Sequence, residues 1–438
     1  MKTLLMFVLA LLVAIPSARA DEIAYDFALS NGMKVIHVPL AVNDVIALHL
    51  VLPGAAARQN ESDAGIETML LEAMTRGSER FPKDVMNREL DRMGARIGPQ
   101  VGYDYASLRL LTLRPFFGRS LEILADAFLR PALDPAEIER VREQQLAAIR
   151  AKDDSPDEFI AKTLNDRFYA GHLYHSDMDG ALESVAALTI DDLRAHAAKL
   201  AALDSAFIVV AGKLDREELR HHLEKWFGEL KHAPSPAYAP PPHKALPGEL
   251  VVADRPYPTH YLLGKFPAPA PRDGDYPALR LGLKILSQRL WEKVRTDRGL
   301  AYAVSGGLSS YAANFGYVYM STTATSQALP VMWEEIARLA AEPAPDSEFV
   351  AAKAVYRTEY FMALEDMSGQ ADFLAFGELY MGDWRRRNEI ADNVQAATAE
   401  DVRRAMAQWT RDIAFAVVGP ADKIDRAFFA PPAVSLEK

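Results

Sequence analysis

The side chains that could do chemistry set the first limits. The chain has 438 residues, ten histidines and no cysteine. A cysteine nucleophile and a disulfide framework are both excluded. The best metal donors by type are His172 and His175, with Asp177 and Asp179 close behind. Imidazoles with a carboxylate are what zinc takes. His221, His222 and Glu224 fall on one helix with no second ligand pair at motif spacing, so they read as a solvated face. Glu67 and Glu72 could form an acid/base pair, but no carboxylate-hydrolase pattern surrounds them, and they read as surface charges. Arg295 and Tyr302 are seven residues apart. Their spacing alone reads Arg295 as an ion-pair partner of Glu292 or Asp297. It reads Tyr302 as a core residue at the start of a strand.

The elements that position these groups follow from periodicity. Gly65–Ser78, GIETMLLEAMTRGS, is a glycine-bracketed helix whose apolar face runs through Ile66, Met69, Leu70 and Ala73, and it holds no histidine. Lys34–Pro39 and Val45–Leu52 read as paired strands joined by a short turn. Helical patterns follow at Lys83–Met93, Phe117–Leu129, Pro135–Ala151, Asp157–Tyr169, Ile190–Leu200 and Glu217–Phe227. Strands are expected at Ala303–Tyr311 and Phe315–Thr323, where small and hydroxylated residues would leave an edge open to an added peptide strand.

The chain also repeats itself. Asp134-Pro-Ala-Glu137 answers to Pro345-Asp-Ser-Glu348, and Thr189–Leu193 to Thr398–Val402. Ala206–Gly212 answers to Ile413–Gly419. The offsets are 211, 209 and 207 residues. The first two pairs read as helix N-caps with acids in the first turn, the third as a buried strand ending at glycine. Three marks in order at a nearly constant offset imply duplication. The expected fold is α+β: two homologous domains, each a mixed or antiparallel sheet with helices on one face. Residues 21–230 and 248–430 form the two domains. Residues 231–247, with six prolines, form an extended connector, and 431–438 a tail.

Residues 1–20 read as a cleaved signal peptide: Lys2, the apolar run Leu4–Ala14, Pro16 and an Ala18-Arg19-Ala20 site. The alternative is an uncleaved anchor. A lipid anchor there would need a cysteine. Losing Lys2 and Arg19 moves the formal net charge from −11 to −13, which disfavours nucleic acid and anionic membranes as partners. A cysteine-free exported chain suits a periplasm.

The first half resembles the pitrilysin/insulinase family of zinc peptidases over nearly its whole length. Leu29–Ile36 resembles the opening strand, Gly65–Ser78 the zinc helix, and Arg142-Glu143 with the turns after them the helix of the third ligand. Asp215–Leu219 matches a common domain ending. In that family the zinc helix carries H-x-x-E-H. Its three positions fall here on Thr68, Leu71 and Glu72, and the third-ligand glutamate falls on Ala148. None keeps its role. The stretch around His172 and His175 resembles a packing loop of the family. In the second half, Leu290–Tyr302 resembles the family's R-x6-Y element. The glycine-rich approach common before that element is replaced by Leu283–Arg289. The resemblance implies that Arg295 reaches the substrate backbone and Tyr302 the oxyanion.

The expected function is that of the non-catalytic subunit of a heteromeric periplasmic peptidase, one wall of a clam-shaped chamber for oligopeptides or unfolded segments. No metal is expected in this chain. Zinc, base and water would come from a paralogous partner with its motif intact. The alternative is a peptide-binding or assembly protein without catalysis. A third, minor reading is an autonomous metallopeptidase with rebuilt ligands.

Overall fold

The computed structural model describes residues 24–233, 238–241, 246 and 248–430. The segments read as signal peptide and tail, and much of the proline-rich connector, lie outside the described residues. Two sheets organise the rest. The first takes β1 (Tyr25–Ala28), β2 (Lys34–Val38), β3 (Val45–Pro53), β4 (Arg96–Val101), β5 (Tyr105–Leu113) and β6 (Phe207–Ala211) in the order β1-β2-β6-β3-β5-β4. The second takes β7 (Leu250–Asp254), β8 (His260–Pro267), β9 (Ala301–Leu308), β10 (Phe315–Thr322) and β11 (Ala414–Gly419) in the order β7-β11-β8-β10-β9. Each sheet has one parallel pair, β2 with β6 and β7 with β11, among antiparallel neighbours.

The duplication is visible element by element. The first half carries α1 (Ile66–Met74), α2 (Lys83–Met93), α3 (Phe117–Leu129), α4 (Pro135–Asp154), α5 (Pro156–Phe168), α6 (Leu182–Ala187), α7 (Ile190–Ala201) and α8 (Arg216–Phe227). The second carries α9 (Tyr276–Leu290), α10 (Thr325–Ala341), α11 (Asp346–Ala363), α12 (Met367–Met381), α13 (Glu389–Ala396) and α14 (Ala399–Trp409). By order, α1, β4, β5, α3, α4, α5, α7 and β6 match α9, β9, β10, α10, α11, α12, α14 and β11. The capping boxes repeat too: the Thr189 hydroxyl accepts from the Asp192 N–H at 3.2 Å, and Thr398 accepts from Asp401 at 3.1 Å. At α4 the Asp134 carboxylate accepts from Ala136 and Glu137, whereas Pro345 at the start of α11 offers no side-chain cap.

One expected pairing is wrong. β2 and β3 do not pair, because β6 lies between them. Strands two places apart are about 9.5 Å apart, a gap that the residues from Pro39 to Asp44 cross easily.

Within each half the helices cover one sheet face, and each half also lends a helix to the other. α12 lays Met367, Ala371, Leu374 and Ala375 on Ile36, Val38, Val51, Phe207 and Val209 of the first sheet. In return, α5 lays Ile160 and Leu164 on Leu263, Ala414, Ala416 and Val418 of the second. Burying a large apolar side chain is worth about 1.5–3 kcal/mol. The two contacts together therefore rival the net stability of an ordinary domain.

A buried carboxylate ties the same junction. Asp104 accepts from the hydroxyls of Tyr174 and Tyr380 (2.8 Å to the latter) and from the N–H of Ala312 at 2.9 Å. These donors come from the first half, from α12 and from the β9–β10 turn. Burial, then the Asp104 charge, pushes both tyrosines far above their ordinary range, so both hydroxyls stay protonated as donors. No described helix is long and apolar enough to cross a membrane.

Candidate functional site

Two places answer to the residues singled out by sequence. The first is α1. Gly65 adopts a left-handed conformation (φ 92°) that starts the helix, and a Cβ there would strike the Asp179 carbonyl at 2.7 Å. The Thr68 hydroxyl donates to the Met178 carbonyl at 2.7 Å, and Leu71 is buried in the core beside Met69 and Leu70. Glu72 pairs with Arg76 at 2.7 Å, and Arg76 reaches Gln144 of α4 at 3.1 Å. Gln145 donates to the carbonyls of Gly65 and Asp179 at 3.1 and 2.7 Å. One turn further along α4, Ala148 presents only an exposed methyl. Zinc does not fit these residues. The would-be ligand positions hold a hydroxyl already donating to a carbonyl, a carboxylate neutralised by arginine, and a methyl. The base position is an alkyl group in the core.

Glu67 departs from the surface reading. It is fully buried, with Arg58 and the His196 Nε2 (2.8 Å) on its two oxygens. Burial would raise its carboxyl; the Arg58 charge and the hydrogen bonds from His196 and Arg58 outweigh that and hold it below the ordinary value. This is a structural lock between α1 and α7. It is not paired with Glu72, and no acid/base pair exists here.

Of the other histidines singled out, His221 is exposed, as expected of a solvated face, and His175 lies in the loop beside His172 with its Nδ1 buried. His172 accepts from the Tyr174 N–H at Nδ1 (3.0 Å) and meets the Pro241 carbonyl at Nε2 (2.6 Å), so neither nitrogen is open to a metal. Asp177 and Asp179 pair with Lys152 at 2.9 and 2.7 Å. His222 is not solvated as expected: it packs edge-on against Phe117, and Glu224 accepts from Ser30. Among the described residues, no three histidine, aspartate or glutamate side chains converge as a metal site.

The second place is the end of α9, where Arg295 and Tyr302 meet. After Leu290 the helix widens into a π-helical turn, Trp291–Thr296, anchored by buried Val294. Such turns are rare and concentrate at functional sites. Gly299, at φ +62°, reverses the chain into β9. The Arg295 guanidinium then lies 3.9 Å from the centre of the Trp291 ring and 5.4 Å from that of Tyr302. Neither expected ion pair forms: Glu292 accepts from Gln288, and Asp297 pairs with Lys293. Nor is Tyr302 a core residue, being 80% exposed. A bulge explains this. Ala303 pairs with Ser321 and Ala301 with Thr322, leaving Tyr302 unpaired. By strand alternation Tyr302 would point inward with buried Val304; the extra residue re-aims it. Trp291, 42% exposed, was missed by sequence reasoning, and its place four residues before Arg295 was the available signal.

The result is an arginine on the π-helical turn held between two exposed aromatic rings, Trp291 of the same turn and Tyr302 of the outer strand β9. Its fork can donate to peptide carbonyls, and the tyrosine hydroxyl can donate to an oxyanion. Comparison with known proteins fits this architecture. The descriptions "Insulinase (Peptidase family M16)" and "Peptidase M16 inactive domain" match residues 41–179 and 187–356. The chain belongs to the insulinase family, peptidase family M16. It is 22% identical over 404 residues to an uncharacterised zinc protease, YmxG, of Bacillus subtilis, covering 90% of this chain and 98% of that one. It superposes on a peptidase M16 inactive domain from Pseudomonas fluorescens with a TM-score of 0.81 at 20% identity, covering 91% of this chain and 98% of that one. On the periplasmic protease PqqL of Escherichia coli the TM-score is 0.77 at 16% identity, covering 91% of this chain and 46% of PqqL.

Proposed function

We propose that this M16 chain is the non-catalytic subunit of a two-chain peptidase. A paralogous partner bearing H-x-x-E-H supplies zinc, base and water. This chain supplies the opposing wall, with Arg295 on the substrate backbone and Tyr302 on the oxyanion. One observation carries the reading: the site that would hold zinc is filled by unsuitable side chains, while Arg295 and Tyr302 sit side by side and exposed. Closed-off chemistry in one half beside open donors in the other is what a divided active site requires. The share of PqqL that the chain covers, 46%, supports it, since that protease is long enough to hold two such units. The substrates are oligopeptides or unfolded segments. The leader-like residues 1–20 and the lack of cysteine support a periplasmic location.

The test is reconstitution. Purified alone, the chain binds no stoichiometric zinc and cleaves no peptide library. Mixed with its partner, it shows chelator-sensitive cleavage. Tyr302→Phe lowers kcat about 100-fold, the usual loss for one oxyanion donor. Zinc-dependent cleavage by the lone chain overturns the proposal. Full activity of both Arg295→Ala and Tyr302→Phe complexes points instead to an assembly role without catalysis.

A further inference from the structure

The duplication supplies its own control for one helix face. α4 and α11 are counterparts, offset by 211 residues from Pro135 to Asp346. Their inward faces agree: Ile138, Val141 and Gln145 answer to Phe349, Ala352 and Tyr356. Their outward faces do not. On α4 that face carries Glu139, Arg140, Glu143, Gln144 and Arg150, all exposed. On α11 the same positions hold Val350, Ala351, Ala354, Val355 and Phe361, and Met362 follows. Val350, Val355, Phe361 and Met362 are between 48% and 64% exposed. Scattered surface apolar residues need no explanation. A continuous stripe, where the duplicate helix is charged, calls for a cover.

We propose that the cover is a second copy of this chain, its α11 packed antiparallel on the first. The stripe is graded by size, small at its start (Val350, Ala351, Ala354) and large at its end (Phe361, Met362). A two-fold axis at the level of Tyr356 sets Val350 against Met362 of the other copy. It likewise sets Ala351 against Phe361 and Ala354 against Thr358, the smaller side chain meeting the larger each time. A parallel pair would set Phe361 against Phe361 and leave Ala351 facing Ala351, a worse fit for close packing. The antiparallel arrangement also opposes the two helix dipoles favourably. One patch meeting itself about a two-fold axis is the usual geometry of a dimer of identical chains.

The hole for Phe361 is already present. Ala351 lines a cavity of about 900 Å³ between α9 and α11, together with Leu283, Gln288, Gly306 and Val355. Its charges are mostly spent on each other: Lys284 pairs with Glu359 and Arg289 with Glu348, each at 2.7 Å. Arg280 and Glu292, also on the lining, balance in sign. An apolar ring can therefore enter without stranding a charge. In the first half the corresponding gap is bridged, by Gln145 to the Gly65 carbonyl and by Arg76 between Glu72 and Gln144.

The stripe runs from Val350 to Met362, about 18 Å of helix. One helix face of that length buries less than the roughly 800 Å² per partner of a standard interface. Association is accordingly weak, with a midpoint on the order of 10–100 µM. The formal charge of −11 on each copy opposes it. Added salt should therefore strengthen the dimer, the reverse of a charge-driven contact.

The test needs only this chain. The purified full chain is followed by sedimentation equilibrium from about 1 to 300 µM, which brackets that midpoint. A monomer–dimer equilibrium is expected, tighter in about 0.5 M sodium chloride. Phe361→Glu, at an exposed position, should weaken it at least about tenfold. Glu143→Arg, on the counterpart face of α4, should leave it unchanged. Because the chain has no cysteine, the register can be read directly. Val350→Cys and Met362→Cys, mixed and oxidised, should give a disulfide-linked dimer that neither gives alone, since like positions lie about 18 Å apart along the axis. A chain that stays monomeric at the highest concentration overturns the proposal. So does a Phe361→Glu variant that associates as wild type, or a disulfide dimer from either cysteine variant alone. A monomer whose binding to neutral phosphatidylcholine vesicles is lost in Phe361→Glu would give the stripe to a membrane and also overturn it. None of these readings uses zinc or cleavage, so their failure leaves the divided-active-site proposal standing.

Discussion

Removing the Asp104 carboxylate should loosen the junction between the two halves more than any surface change. The Tyr174 and Tyr380 hydroxyls and the Ala312 N–H all donate to it, with the Tyr238 hydroxyl beside them. A hydrogen bond to a charged group is worth about 1.5–3 kcal/mol. Three give roughly 4.5–9 kcal/mol gross. Against this stands the cost of burying the carboxylate, several kcal/mol, which Asp104→Ala relieves. The expected net loss for Asp104→Ala is about 3–5 kcal/mol, the usual range for breaking a buried charged network. Asp104→Asn should cost less, about 2 kcal/mol, since its oxygen still serves Tyr380 and Ala312 while the Tyr174 hydroxyl turns to accept from the amide. Urea unfolding followed by tryptophan fluorescence and far-ultraviolet dichroism measures both. Tyr380→Phe should cost about 1–2 kcal/mol in the wild-type chain and almost nothing in the Asp104→Ala background. The reasoning fails if both Asp104 variants unfold within about 0.5 kcal/mol of wild type, the scatter expected of a neutral surface change, or if asparagine costs more than alanine.

Other expectations rest on single groups. Glu67→Gln leaves the nearly buried Arg58 charge without its counter-ion and should cost about 3–5 kcal/mol. Because the folded Glu67 carboxyl sits below its unfolded value, its stabilisation is present above about pH 4.5 and lost as pH falls through the folded value. The acid limb of wild-type stability should therefore be steeper than that of Glu67→Gln. Lys265 runs the other way. Burial lowers it to about 7, though its amine donates to Asn165 at 2.5 Å. Between about pH 7 and 10.5 the unfolded chain holds the extra proton, so stability should rise across that window, by at most about 1.4 kcal/mol per pH unit. Lys265→Met should flatten the rise, read from urea midpoints at about pH 7 and 9.5, inside that window. Trp291→Ala removes an exposed cation–π contact worth about 0.5–1 kcal/mol. Partnered activity should fall about two- to fivefold, the same energy expressed as a rate, and the unfolding free energy by no more than about 1 kcal/mol.

How far the sequence reached depended on whether a residue's role was local. The Thr189 and Thr398 caps and the helices from Lys83 and Phe117 are set by neighbours three or four residues away, and they lie where the pattern puts them. Roles set by distant partners were illegible. Glu67 looked like a surface acid because its partner His196 is 129 residues on. Asp104 has no motif, since Tyr380 and Ala312 come from the other half. β2 and β3 looked paired because nothing local announces that β6 slips between them. The β4 strand, with Gly98 and Pro99 inside it, defeats propensity altogether. At the candidate site, the family resemblance singled out Arg295 and Tyr302, and the fold brings their side chains together. The bulge that turns Tyr302 outward depends on the register with β10 and could not be read from one strand.

The exchange of α5 and α12 has a bearing on how the chain is made. The outer face of the first sheet waits for residues 367–381, so the first half cannot finish folding while the second is still being synthesised. Until then Ile36, Phe207 and Val209 lie bare, a sticky surface of the kind chaperones hold. Cutting the gene at the proline-rich stretch should yield two insoluble pieces that become soluble only when co-expressed. Neither half can lock prematurely, because each carries the other's missing helix.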